Sequence, residues 1–249
     1  TLARLNPDSS VYNVPVAFRL RGELDLLALD RALTALARRH AALRASFPAD
    51  PDGSPHLVIA EPAPVVAPLT DCRWLAAEHE QPAAEQEVLR ITEQEARLPF
   101  DLATGPLWRA SVIREEDRNH LLVMAFHHIV FDGLSRTLLL GELGALYAEA
   151  VTGTAADLPP APPYTAVLRR QSAIDAKSAG PDLDYWRERF AQPAQPLVLP
   201  ADHDRPPGPG RARSVRVSLP EHLGIRVEQF CRGSGTTPAI PVPTAGVVK

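Results

Sequence analysis

The placement of proline constrains this chain more than any other feature. It has 26 prolines in 249 residues, about twice the usual share of ~5%. They crowd into Pro48 to Pro68, Pro159 to Pro163, Pro193 to Pro209 and Pro238 to Pro243. A proline offers no N–H and its ring fixes φ, so such stretches cannot be helix interiors or central strands. Regular structure must therefore lie between them. Residues 159–182 and 191–211 read as Pro-rich connections within one lobe spanning 1–238, and 239–249 as an irregular Pro-rich tail.

The windows between the prolines carry clear periodicities. Tyr12 to Leu20 alternates and predicts a strand ended by Arg21-Gly22. Asp25 is a plausible N-cap for a helix in which Leu26, Leu29, Leu33 and Leu36 recur up to Arg39-His40. Leu43 to Phe47 and Leu57 to Ala60 predict a hairpin about the turn-rich Pro51-Asp52-Gly53-Ser54-Pro55, and Ala83 to Arg97 a surface helix. Leu107 to Arg114 and His120 to Phe126 predict a second hairpin turning over Glu115 to Asn119. The Leu-rich run Leu134 to Tyr147 predicts a helix buried on more than one face. Further helices are predicted at Thr165 to Ala176, Asp182 to Phe190 and Glu221 to Arg232, with a strand at Ser214 to Leu219. This order of strands and helices predicts an α/β fold, a mixed sheet covered by helices.

Composition narrows the function. A 45% hydrophobic content supports a sizeable core, and the net charge of −4 comes with no long Lys/Arg run, which argues against a nucleic-acid partner. The apolar runs fall short of the ~20 residues of a membrane helix, and the opening residues show no signal-peptide pattern. Cys72 and Cys231 lack any CxxC partner, which predicts idle thiols in a reducing cytoplasm rather than a disulfide framework or a zinc site. His79, His120, His203 and His222 have no metal-ligand spacing and read as surface histidines. Ser135 has no GxSxG elbow around it, and Gly233-Ser234-Gly235 lacks the lysine of a P-loop.

One segment carries chemistry: His127-His128-Ile129-Val130-Phe131-Asp132-Gly133, at the end of a predicted strand and the start of a predicted helix. Histidine titrates near neutral pH, as a base for acyl transfer must. Neighbouring residues on a strand point to opposite faces, so one histidine serves a cleft and the other packing. Asp132 lies where the chain turns back and can fix the loop through an arginine or through backbone N–H groups. Gly133 permits close backbone approach, and the helix N-terminus behind it favours developing negative charge.

These residues resemble the HHxxxDG signature of nonribosomal peptide synthetase condensation domains, relatives of chloramphenicol acetyltransferase. Other segments agree in order and spacing. Tyr12 to Gly22 resembles the family's opening strand, Arg39-His40-Ala-Ala-Leu-Arg44-Ala-Ser-Phe47 its RHxxLRxxF segment, Pro99-Phe100-Asp101 to Leu107 its PFDLxxGPL segment, and Asp184-Tyr185-Trp186 its D-Y-W helix. The resemblance spans roughly residues 4 to 238. It implies the N-terminal lobe of a two-lobed chloramphenicol-acetyltransferase-like domain, in which the amine of one carrier-bound thioester attacks the acyl thioester on another. It further implies His128 as the active-site base or amine-positioning residue and Gly133 as a backbone N–H donor near the reacting carbonyl. His127, Asp132 and Arg44 become structural, with Arg44 the expected partner of Asp132, and Trp186 is expected in the core.

By the same resemblance, no cofactor or metal is bound directly. Substrates arrive on the phosphopantetheine arms of peptidyl or acyl carrier proteins, and the partners are those carriers, the C-terminal lobe and neighbouring synthetase domains. That second lobe is not among the matched segments, so the chain is expected to hold half of the site. Two other readings stay open: a non-catalytic module that binds carriers, and a fragment of an epimerisation domain. The second would call for an aromatic soon after Asp-Gly, where this chain has Leu134-Ser135-Arg136.

Overall fold

The computed structural model describes residues 9–74, 81–192 and 218–237, with backbone alone for 81–85 and 176–178. The chain divides into two compact units, Thr1–Arg189 and Phe190–Lys249.

The first unit is built on a four-stranded mixed sheet. β1 (Asn13–Arg21) and β6 (Asn119–His127) pair antiparallel from Asn13 opposite His127 to Arg21 opposite Asn119. β5 (Trp108–Glu116) pairs antiparallel with β6, and the short β4 (Leu69–Asp71) lies parallel beside β5. Alternation sorts the side chains. Val16, Leu122, Met124, Phe126, Ala110 and Val112 meet one core, while Val123 and Ile113 meet another on the opposite face. β6 is buried on both faces, which is why its sequence reads as nearly continuous apolar residues.

Helices cover each face. On the first lie α1 (Leu26–Arg39) and α3 (Gly133–Thr152); on the second lies α2 (Gln81–Arg97), whose Val88 packs with Cys72, Ile113 and Val123. α1 starts where Asp25 accepts the Ala28 N–H at 3.0 Å, and it buries Ala28, Leu29, Ala32, Leu33, Leu36 and Ala37. That is one stripe at helical spacing. Its other polar groups hold the Pro-rich segment before β4: Asp30 accepts the Ala67 N–H and Thr34 the Val65 N–H, both at 2.9 Å. A small hairpin, β2 (Ala45–Ser46) and β3 (Val58–Ile59), follows a 3-10 turn at Ala41–Arg44.

The expected α/β class, the N-cap at Asp25 and both hairpins are present. Several expectations need correction. The second hairpin turns tightly at residues 117 and 118, and Glu115 lies inside β5, where it pairs with Arg19 at 3.1 Å. α4 (Tyr164–Arg189) runs unbroken where two helices were expected, so the irregular connection after α3 ends at Pro163. Pro181 lies inside it; a proline removes one intrahelical bond, and that need not end a helix. α3 buries a single stripe, Leu139, Glu142 and Leu143, whereas Leu134, Leu138 and Leu140 are exposed. Trp186 is half exposed instead of in the core, and His120 is buried instead of on the surface. β4 was not expected at all, being three residues long directly after a proline.

In the second unit α5 (Glu221–Ser234) ends at Gly235, whose φ of 62° provides a left-handed cap, and His222 is exposed as expected. His79, His203, most of the expected strand at Ser214 to Leu219, most of the connection 191–211 and the tail 239–249 lie outside the described residues.

Candidate active site

β6 delivers the histidine pair. The His127 N–H is held by the Leu107 carbonyl and the His128 N–H by the Tyr12 carbonyl, each at 2.8 Å, and the Val130 N–H turns back onto the His127 carbonyl at 3.0 Å. The two side chains part as strand geometry requires. His127 is 8% exposed, with the Tyr12 ring at 5.9 Å and the Phe100 ring edge-on at 6.4 Å. Its Nδ1 accepts the Ile129 N–H at 3.1 Å, leaving Nε2 to carry the proton of the neutral ring. Burial first, and then the neighbouring charge of His128, hold its pKa below the usual value. His127 is thus a neutral packing residue, and His128 is exposed to solvent.

The neighbours of His127 are fixed by residues of a second segment. Arg109 lies over the Phe100 ring at 4.2 Å and donates to the Glu95 and Leu98 carbonyls. Asn13 donates to the Ala96 carbonyl at 2.9 Å and the Leu98 carbonyl at 2.8 Å. Together they satisfy carbonyls at the end of α2 and just beyond it, which a helix C-terminus leaves free. Asp101 then folds the turn, accepting the Ala103 N–H at 2.9 Å and the Thr104 hydroxyl at 2.8 Å. Gly105 (φ 62°) closes that turn.

After the histidines the chain passes Phe131, stacked on Phe126, and reaches Asp132, the N-cap of α3. Asp132 Oδ1 accepts the Ser135 N–H at 2.9 Å and its hydroxyl at 2.7 Å, while Ser135 Oγ accepts the Asp132 N–H at 3.2 Å. This reciprocal box keeps the carboxyl below its usual pKa, mainly through the Ser135 hydroxyl and N–H, with His128 a lesser contributor. Gly133 opens the helix, exposed, with nothing within 4 Å of where a Cβ would stand. A reacting group therefore has room to approach the first N–H groups of α3, the positive end of its dipole.

The expected pairing of Arg44 with Asp132 is not what the structure shows. Arg44 Nε donates to the Ala37 carbonyl at 3.0 Å and its Nη1 to the Ala60 carbonyl, so it clamps the end of α1 to the β2–β3 hairpin. Asp132 spends its lone pairs on Ser135 instead.

A cluster that sequence reasoning missed joins α1 to α3. Glu142, 5% exposed, accepts from Arg39 Nε at 2.8 Å and meets His40 Nε2 at 2.5 Å; Arg39 also reaches the Pro159 carbonyl. A lone carboxylate on the buried stripe of a Leu-rich helix was its signal. Buried charges are retained when paired.

With this geometry in hand, the comparisons with known proteins are specific. The family model for the condensation domain matches residues 1–239. The chain belongs to the condensation-domain family. It is 37% identical over 246 residues to phosphinothricin tripeptide synthetase PhsC of Streptomyces viridochromogenes, covering 98% of this chain and 22% of that protein. The first condensation domain of the calcium-dependent antibiotic synthetase, solved with a substrate analogue, superposes with a TM-score of 0.75 at 24% identity, over 96% of this chain and 54% of that one. The X-domain of teicoplanin biosynthesis, solved in complex with OxyB, gives 0.72 at 26% identity, over 95% and 51%. The chain thus spans about half the length of these solved domains, and the chloramphenicol-acetyltransferase-like fold is that of the family.

Among the described residues no helix is long and apolar enough to cross a membrane.

Proposed function

We propose that this chain supplies the histidine half of a condensation site, at which a carrier-bound amine attacks a carrier-bound acyl thioester to form an amide. The observation that carries this reading is the division of the histidine pair, with His127 neutral and packed and His128 exposed beside the capped N-terminus of α3. In the proposed reaction His128 takes the proton of the attacking amine, or holds the amine in line. The N–H of Gly133 and its helix neighbours face the carbonyl oxygen as it gains charge, and the thiol of the phosphopantetheine arm leaves. Asp132 keeps the helix start in place and His127 locks the end of β6. The proposed partners are peptidyl or acyl carrier proteins, the second lobe and neighbouring synthetase domains, working in the cytoplasm. The substrates come on phosphopantetheine, with no cofactor held by the chain itself.

The test is single-turnover amide formation between two loaded carrier proteins, with the chain joined to the C-terminal half of a solved relative and the product read by mass spectrometry. Amide that depends on the histidine half supports the proposal. Carrier binding without amide, in a folded fusion, would overturn it in favour of a second reading, a non-catalytic interaction module. That reading draws support from the likeness to the X-domain solved with OxyB, a protein of this fold bound to a partner.

A further inference from the structure

Between the end of α1 and the start of α3 lies a cavity of about 100 Å³, walled by Leu36, Leu43, Phe131 and Leu139. Val130 and the exposed Leu138 flank it, and Ala42 lines it from the 3-10 turn. Two polar side chains border it, and both direct hydrogen-bonding atoms at protein partners: Ser135 Oγ is engaged twice by Asp132, and His40 Nε2 by Glu142. The rest of the lining, and so most of what the cavity offers a ligand, is carbon. The cavity is a half-open recess, and burying alkyl carbon against its apolar walls removes that carbon from water, so it suits a branched alkyl group of a few carbons.

Its position gives it a use. Val130, Phe131 and Ser135 belong to the loop and helix start that also carry His128, Asp132 and Gly133. We propose that this pocket is a subsite for the aliphatic side chain or short branched acyl chain of the thioester substrate, and that Ala42 and Leu138 set the size it admits. The proposal rests on the condensation reading and adds a substrate class to it. The pocket selects by size and apolarity, so it favours branched aliphatic acyl groups over acetyl and over charged side chains. A charged group would lose its hydration there without gaining a partner.

The test titrates the 249-residue chain with 3-methylbutanoyl-pantetheine and acetyl-pantetheine, following the methyl resonances of Leu139 and the ring resonances of His128. The longer acyl group adds three carbons, whose full burial would give roughly 50-fold; in this half-open pocket the expected result is at least tenfold tighter binding, with both sets of resonances moving. Ala42→Leu, which fills the pocket, and Leu138→Trp, which blocks it from an exposed position, should each abolish the preference by bringing 3-methylbutanoyl-pantetheine down to the affinity of acetyl-pantetheine. Equal affinity for the two thioesters, with His128 still responding, would overturn the pocket and spare the condensation reading. A preference that survives both substitutions would also overturn it. Movement of Leu139 without His128 would overturn the assignment to the thioester's acyl group, and would count against the condensation reading as well.

Discussion

Removing the charge of Glu142 should weaken the fold by an amount the structure sets. Its carboxylate is 6% exposed and makes one bond to Arg39 and one to His40, whose side chains are 17% and 24% exposed. A hydrogen bond to a charged group contributes ~1.5–3 kcal/mol net, and breaking a fully buried pair costs ~3–5 kcal/mol. Here water can reach both partners in part, so Glu142→Gln is expected to cost about 2 kcal/mol, below the fully buried range. For a chain of this size that is a fall in Tm of about 4–8 °C. Urea titration of the wild type, Glu142→Gln, Arg39→Ala and the double variant forms a cycle, with an expected coupling energy of about 1–2 kcal/mol for groups in direct contact. Because the carboxylate is buried, the coupling should persist at 1 M salt, where an exposed pair such as Arg73–Asp117 would be screened. A Glu142→Gln variant within ~0.5 kcal/mol of wild type, the range of ordinary surface substitutions, would refute the claim that this cluster ties α1 to α3.

Asp132→Ala removes the capping box and is expected to cost ~1 kcal/mol, whereas Asp132→Asn, which keeps an oxygen for the Ser135 N–H, should recover most of it; equal losses in thermal melts would contradict the cap. His120 is buried, and burial first, then Arg114, depresses its pKa. The unfolded chain therefore binds its proton at a higher pH than the folded one does, so stability should fall as pH drops below ~6.5. His127 acts in the same direction. Urea midpoints from pH 7.5 to 5 should decline less steeply in His120→Phe, and an unchanged slope would rule out that contribution.

How much of this was legible in the sequence depends on the range of the interaction. The Asp25 cap, the helix stripe of Leu29, Leu33 and Leu36, and the β5–β6 hairpin are local patterns, and periodicity finds them. So is the opposition of His127 and His128, which comes from two residues standing on one strand. The parallel β4 is three residues held by a strand far along the chain, with nothing local to mark it. Arg44 shows the same limit: a side chain that long can reach several acceptors, and the carbonyls of Ala37 and Ala60 are brought within its reach only by the packing of α1 against the hairpin. His120 was within reach, because it continues the inward register of Phe126, Met124 and Leu122; its polarity argued wrongly for the surface. The helix run of exposed leucines in α3 looked buried because composition reports apolar character, and only tertiary contact decides which face is covered.

Whether His128 or His127 carries the chemistry is decided by comparing His128→Ala with His127→Phe in single-turnover amide formation between loaded carrier proteins, with the chain joined to the C-terminal half of a solved relative and each variant first shown by melting to be folded. His128→Ala is expected to lose about 10²–10⁴-fold in rate, the usual contribution of a positioned base, at unchanged stability, while His127→Phe, which keeps the packing against Tyr12 and Phe100, retains most of the rate. Full activity of His128→Ala would contradict the role given to His128.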